Sequence, residues 1–184
     1  MNIRGIFFDW VNRKEKIIFL KKNLEKVTSF QEYKKIALEL DKLQGKEEWK
    51  KRKDSKLYDY KEVEKLIEIL QTKKETRDIN GLVHYLRSNL LKNLYSTNNP
   101  ELYHHTNYGT KYLIEKLESQ IEESLNFIYK YDENKFPLSK KLEFYSESRH
   151  AYGRTALLLS GGASFGMYHM GVVKALYEQN LLPR

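Results

Sequence analysis

Cysteine is absent from all 184 residues, which excludes disulfides and thiolate metal sites. Long hydrophobic runs are absent as well. The longest, Ile17-Ile18-Phe19-Leu20 and Ala156-Leu157-Leu158-Leu159, hold four residues each, where a bilayer-spanning helix needs about 20. The N-terminus carries no apolar leader with a small-residue cleavage site, so the expected compartment is the cytoplasm. Proline is scarce, with three in the chain, and only Asn99-Pro100 and Phe136-Pro137 interrupt the body of the sequence.

Charge, by contrast, is plentiful. Charged residues make up 32% of the chain and apolar ones 40%, enough for a modest core under well-solvated helix surfaces. The net charge of +8 is unevenly spread. Through Lys74 there are 20 basic and 13 acidic residues, against 13 and 12 in the remainder. A basic front half suits an acidic partner such as an anionic membrane surface or nucleic acid, or it is simply a lysine-rich solvated surface.

The first 150 residues read as helices. Ile17, Leu20, Leu24 and Val27 keep helical spacing in a segment from Asn12 to Val27. Ser29 and Glu32 form a capping box for the next helix, which turns Tyr33, Ile36, Leu40 and Leu43 inward and stops at Gly45. Asp59 caps a third helix with Val63, Leu66, Ile67 and Leu70 inward. Asp78 caps a fourth with Leu82, Val83, Leu86, Leu90 and Leu94 inward, ended by Asn98-Asn99-Pro100. A polar and aromatic loop leads to Gly109. A fifth helix runs from about Lys111 to Tyr129 with Ile114, Leu117, Ile121 and Ile128 on one stripe, and a last one spans Ser139 to His150. The character then changes. Thr155-Ala156-Leu157-Leu158-Leu159 is apolar on both faces and bounded by glycines, the pattern of a buried strand in a parallel sheet. A helix from about Phe165 to Gln179 comes next. The expected fold is thus mostly α, with a helical domain over residues 1–152 and an incomplete α/β domain over 153–184, either because the chain is a fragment or because a partner supplies the remaining strands.

Ser160-Gly161-Gly162-Ala163-Ser164-Phe165-Gly166 is the segment that looks like a site. It lies between the expected strand and a helix N-terminus, where backbone N–H groups are unpaired and the dipole is positive. Such a turn suits a phosphate or a developing oxyanion, or it only permits tight strand–helix packing. A P-loop would need lysine and serine or threonine after the second glycine, and Met167-Tyr168 stand there instead. Gly161, Ala163 and Gly166 are a near miss to the dinucleotide pattern G-x-G-x-x-G. Gly162-Ala163-Ser164-Phe165-Gly166 matches the nucleophile-elbow pattern G-x-S-x-G, which taken alone would nominate Ser164.

The stretch from Arg154 through Leu159 and on to Gly171-Val172-Val173-Lys174-Ala175-Leu176 closely resembles the opening of the patatin domain. More narrowly, it resembles the triacylglycerol lipase branch of patatin-like phospholipases. Ile36-Ala37-Leu38-Glu39-Leu40-Asp41, Leu57-Tyr58-Asp59-Tyr60, Asn99-Pro100-Glu101-Leu102-Tyr103 and Gly109-Thr110-Lys111-Tyr112-Leu113-Ile114-Glu115 resemble the helical region that precedes the domain in that branch. The resemblance implies an ester hydrolase with a Ser–Asp dyad and an oxyanion hole on separate loops. Gly161, Gly162, Ala163 and Gly166 match the oxyanion loop, and Ser164 a variable position within it. Against the broader pattern D-G-G-G-x-R-G, Ser160 replaces the aspartate, Ala163 a glycine and Phe165 the arginine. The nucleophile and the aspartate are both expected beyond Arg184. Triacylglycerol or phospholipid is the implied substrate and a lipid droplet or membrane surface the implied location, reached peripherally from the cytoplasm. Neither a metal, an organic cofactor nor nucleic acid is implied. A non-catalytic helical module for a lipid surface or a protein partner is the competing reading.

Three further features stand out. His104-His105 invites a metal reading, but adjacent side chains diverge and no H-E-x-x-H accompanies them. His169 lies just after the glycine turn, where packing competes with a place near lipid. Phe7, Phe8 and Trp10 precede Lys14 and Lys21, an aromatic and basic combination that can hold a helix at a lipid surface.

Overall fold

A computed structural model describes residues 3–153 and 156–183, with side chains from Val11 onward. Among the described residues every long element is helical. In chain order they are α1 (Ile3–Leu24), α2 (Phe30–Leu43), α3 (Lys46–Lys51), α4 (Tyr60–Glu75), α5 (Ile79–Asn89), α6 (Pro100–His104), α7 (Tyr112–Lys130), α8 (Leu138–Tyr152) and α9 (Gly166–Glu178). Short 3₁₀ turns lie at Leu94–Ser96 and Ala163–Phe165.

Side-chain caps set the helix starts. Ser29, Asp59 and Asp78 each accept a hydrogen bond from the backbone N–H three residues on, Glu32 at 3.3 Å, Glu62 at 3.3 Å and Gly81 at 2.9 Å. The apolar stripes meet in one core. Val63, Leu66, Ile67 and Leu70 of α4, Leu82, Val83 and Leu86 of α5, and Ile114, Leu117 and Ile128 of α7 are all buried in it. Tyr58, Ile79 of α5, Leu102 of α6, Phe136, and Phe144 of α8 complete it. α7 and α8 run antiparallel, since the Tyr145 hydroxyl donates to the Leu125 carbonyl at 2.7 Å and the Lys141 ammonium to the Tyr131 carbonyl at 2.6 Å.

α1 and α2 form an antiparallel pair beside this core, joined by the Lys16–Glu39 ion pair at 2.7 Å and by Leu20, Ala37 and Leu40, all buried. α1 begins nine residues earlier than the periodicity predicts, at Ile3 rather than Asn12. No proline stops it, and a glycine inside a helix costs only about 1 kcal/mol, so Gly5 does not break it.

Three other expectations need correction. The helix capped by Asp78 stops at Asn89 and does not continue to the Asn98-Asn99-Pro100 segment. Beyond it, Asn93, Tyr95 and Ser96 take left-handed backbone (φ 61, 55 and 61). This conformation strains residues other than glycine, and here the Tyr95 carbonyl accepts from the Asp59 N–H at 3.1 Å. Pro100 does not end a helix but opens α6 at its first position, where its missing N–H is no loss, and Asn99 caps it. α3 has no counterpart in the hydrophobic pattern, because six residues are too few to show a period.

The largest difference lies at the expected strand. Within Thr155–Leu159, residues 156–159 carry neither strand nor helix, and Thr155 lies outside the described residues, as does Arg154. A strand needs a neighbour to accept its backbone hydrogen bonds, and none is present among the described residues. Leu158 is consequently 90% exposed.

Leu70→Ala removes a fully buried side chain from the α4–α7 contact. Urea unfolding should show a loss of about 2–5 kcal/mol, whereas Leu158→Ala should stay within about 0.5 kcal/mol.

Candidate functional site

The glycine turn sits at the mouth of α9. Gly162 has extended backbone (φ −175), and Ala163, not a glycine, takes the left-handed conformation (φ 47). Ala163 is thus under strain, since residues other than glycine rarely take this conformation. The Phe165 N–H closes the turn on the Gly162 carbonyl at 2.9 Å, and the Gly166 N–H donates to Ala163 and Ser164. No carbonyl or side chain among the described residues accepts from the N–H groups of Gly161, Gly162 or Ala163. A Cβ at Gly161 or Gly166 would enter open space, and one at Gly162 would stand 3.4 Å from the Phe165 Cβ. Gly161, Gly162, Ala163 and Gly166 therefore form one contiguous turn whose first three N–H groups remain available at a helix N-terminus. The Ser164 side chain is exposed, with no base or other catalytic partner bonded to it among the described residues.

The proposed lipid-contact residues fall on α1. Positions 7, 8 and 10 belong to its helical backbone, while their side chains lie outside those described. Lys14 and Lys21 are exposed. Between them stand Ile18 and Phe19, 56% and 62% exposed. Sequence reasoning misses them because helical spacing alone assigns apolar residues to the inner face. Eleven residues are about three turns, so positions 7 and 8 stand on the same side of α1 as 18 and 19.

A second cluster is not readable in the sequence because its members are dispersed. Asp41 of α2 is fully buried. Its carboxylate accepts from the Asn107 N–H at 2.8 Å, the Asn107 amide at 2.7 Å and the Tyr108 N–H at 3.2 Å, and it pairs with the Lys50 ammonium at 3.1 Å. Lys50 also donates to the Tyr108 carbonyl at 2.7 Å, and the Tyr33 hydroxyl to the Asn107 carbonyl at 3.0 Å. Nearby, buried Lys111 donates to the carbonyls of Trp49 and Arg52 at 2.8 and 2.9 Å, satisfying the end of α3, and lies 4.1 Å from the centre of the Trp49 ring. Burial by itself would raise the Asp41 pKa. The Asn107 N–H, the Lys50 ammonium and the Asn107 amide outweigh it and hold the carboxyl below its ordinary 3.8. Burial pushes the Lys111 ammonium down. Every buried charge here has a partner, and the cluster offers no free functional group to a substrate. It is a clamp.

The two histidines of the loop part company. His104 ends α6, and the His105 ring stacks on Trp49 at 4.2 Å. Among the described residues no cluster of three potential metal ligands occurs. His169 is half-buried within α9.

Residues 7–150 match the family described as Domain of unknown function (DUF3336). The chain belongs to this family, the helical N-terminal domain of proteins named triacylglycerol lipase and patatin-like phospholipase. It is 38% identical over 164 residues to Triacylglycerol lipase 4 of Saccharomyces cerevisiae, covering 85% of this chain and 17% of that protein. It is 35% identical over 166 residues to Triacylglycerol lipase SDP1L of Arabidopsis thaliana, with 90% and 20% covered. It is 32% identical over 197 residues to a patatin-like phospholipase domain-containing protein of Pyricularia oryzae, with 96% and 24% covered. The chain thus spans a quarter or less of the length of these relatives. No solved structure matches it.

Asp41→Asn leaves Lys50 buried without a counter-charge, and urea unfolding at pH 7 should show a loss of about 3–5 kcal/mol. Because the folded carboxyl titrates below the unfolded one, its stabilising effect is present above the ordinary carboxylate range and fades as pH falls through the folded value. The gap between the parent chain and Asp41→Asn should therefore be level from pH 7 to 5 and shrink below 3.8. A gap that stays constant to the lowest pH at which both fold would show that the charge of Asp41 is irrelevant.

Proposed function

We propose that this chain is the N-terminal part of a serine lipid acyl hydrolase acting on triacylglycerol, and on phospholipid as a second substrate, at the surface of a lipid droplet or membrane. Residues 1–152 form its helical domain, and residues 153–184 open a patatin-type α/β domain whose first strand takes shape only beside its neighbours. Gly161, Gly162, Ala163 and Gly166 are the oxyanion loop. The observation that carries this reading is the turn of three unbonded N–H groups at the start of α9, in a segment that resembles the opening of the patatin domain. In the completed site a serine from a later strand–turn attacks the ester carbonyl, an aspartate accepts its proton, and the turn donates to the oxygen that becomes negative. Ser164 lies within the oxyanion loop and is not the nucleophile.

The 184-residue chain alone should hydrolyse no ester, and a fluorophosphonate probe should leave Ser164 unlabelled. In the intact protein, Gly162→Val should lower turnover by about a hundred- to a thousandfold, while Ser164→Ala has a mild effect. Acyl-enzyme formation that disappears in Ser164→Ala would make Ser164 the nucleophile and sink the assignment.

The exposed Ile18 and Phe19 beside Lys14 and Lys21 favour contact of α1 with an anionic lipid surface, with Phe7, Phe8 and Trp10 extending the same helix. Flotation with vesicles containing phosphatidylserine should recover the chain at low salt and less of it as salt rises. Replacing Ile18 and Phe19 with serine should abolish recovery. Salt-independent recovery, or none with the anionic vesicles, would return α1 to an ordinary solvated helix.

A further inference from the structure

Away from the turn and the clamp, an apolar groove of about 390 Å³ lies open between α7 and α8, with Leu90 at the end of α5 on its floor. Its walls are two matched stripes. Glu118, Ile121, Glu122 and Leu125 keep the spacing i, i+3, i+4, i+7 along α7, and Tyr145, Ser148, Arg149 and Tyr152 do the same along α8. Each stripe covers two turns, about 10 Å, the footprint that a helix or the edge of a packed layer needs. Within a helix, a buried serine commonly bonds the carbonyl four residues back. Ser124 does this to Gln120 at 2.6 Å, but the buried hydroxyl of Ser148 has no partner among the described residues.

The direction of the chain supplies the occupant. Because α7 and α8 are antiparallel, the groove runs from Leu125 and Tyr145 at one end to Glu118 and Tyr152 at the other. Tyr152 is the last residue of α8, so the chain leaves the helical body at the mouth of the groove. The segment beyond it carries the most exposed large apolar side chains among the described residues: Leu158 is 90% exposed, Met167 77%, Tyr168 73% and Tyr177 71%. Two uncovered apolar surfaces are thus tied together by a few residues, which gives them an effective concentration of the order of millimolar. An anionic lipid or fatty acid suits the groove poorly, since its walls carry Glu118 and Glu122 against the cation Arg149. Burial, with Glu115 adding to it, already holds the Glu118 carboxyl above its ordinary range.

We propose that the groove between α7 and α8 is the seat of the α/β domain that begins after Gly153. The proposal rests on the reading of residues 153–184 as the start of that domain. The helical domain is then the platform against which the oxyanion loop is held.

These 184 residues hold no cysteine to compete for label, and in the intact lipase modification is read at the introduced position by peptide mass spectrometry. Tyr152→Cys and Glu122→Cys on the groove rim, and Lys65→Cys on the far side of α4, are labelled with a maleimide in the 184-residue chain and in the intact lipase. Both rim positions should react at least tenfold more slowly in the intact protein, while position 65 reacts alike in both. Two rim sites guard against one variant failing to fold. Equal rates at the rim in both lengths would overturn the proposal. So would protection that vanishes on delipidation, which identifies a lipid occupant, or protection that grows with protein concentration, which identifies a second copy. Gly162→Val in the intact protein should leave rim protection unchanged, so failure of the oxyanion assignment and failure of the docking proposal give different results.

Discussion

Asp41 and Lys50 meet where water does not reach, and their pairing decides how the helical domain holds together. The main core joins α4 to α8 through apolar side chains, and the α1–α2 pair has its own small contact at Leu20, Ala37 and Leu40. The tie between α2 and the rest is largely polar. Asp41 accepts from two backbone N–H groups of the 107–108 segment, Lys50 closes the opposite side, and Lys111 holds the end of α3. A buried charge with a full set of partners is tolerated, whereas one deprived of a partner is costly. Such a clamp specifies a single arrangement of α2, α3 and the loop, which a greasy contact of similar size would fix less sharply.

Much of this fold is readable in order along the chain. Ser29, Asp59 and Asp78 announce their helices because capping is a local event, decided within three residues. The stripes of α4, α5 and α7 are readable because a period of 3.6 needs only a dozen residues to show itself. The clamp is not, because Asp41, Lys50 and Asn107 come together only in three dimensions, and an aspartate on a helix ordinarily reads as solvated. Pro100 misleads for a related reason: the same missing N–H that ends one helix is harmless at the start of another. At the candidate site the glycine spacing identifies the turn, but not which residue bears the strained backbone. Ala163 does, and only the three-dimensional structure reveals it.

Residues 156–183 form a helix and a turn without a sheet. A strand's backbone groups are satisfied by its neighbours, so Ala156 to Leu159 stay irregular here although their composition suits a buried strand. The helical domain is different in kind, since each helix satisfies its own backbone and the apolar stripes find partners among themselves. The same chain therefore holds one part that closes its core internally and another that leaves its leucine and methionine side chains exposed.

The clamp also bears on the order of folding. It joins residues 66 positions apart, Asp41 to Asn107, and it is polar, so it offers no reward until the loop and α2 have both taken their final positions. The apolar helices between them can collapse first, because helix formation is fast and their contacts are non-specific at the outset. A contact made after the main barrier influences how quickly the native state is left more than how quickly it is reached. If the clamp closes after the main barrier, Asp41 and Lys50 act as a lock on the exit, governing how long the α1–α2 arm stays on the folded body.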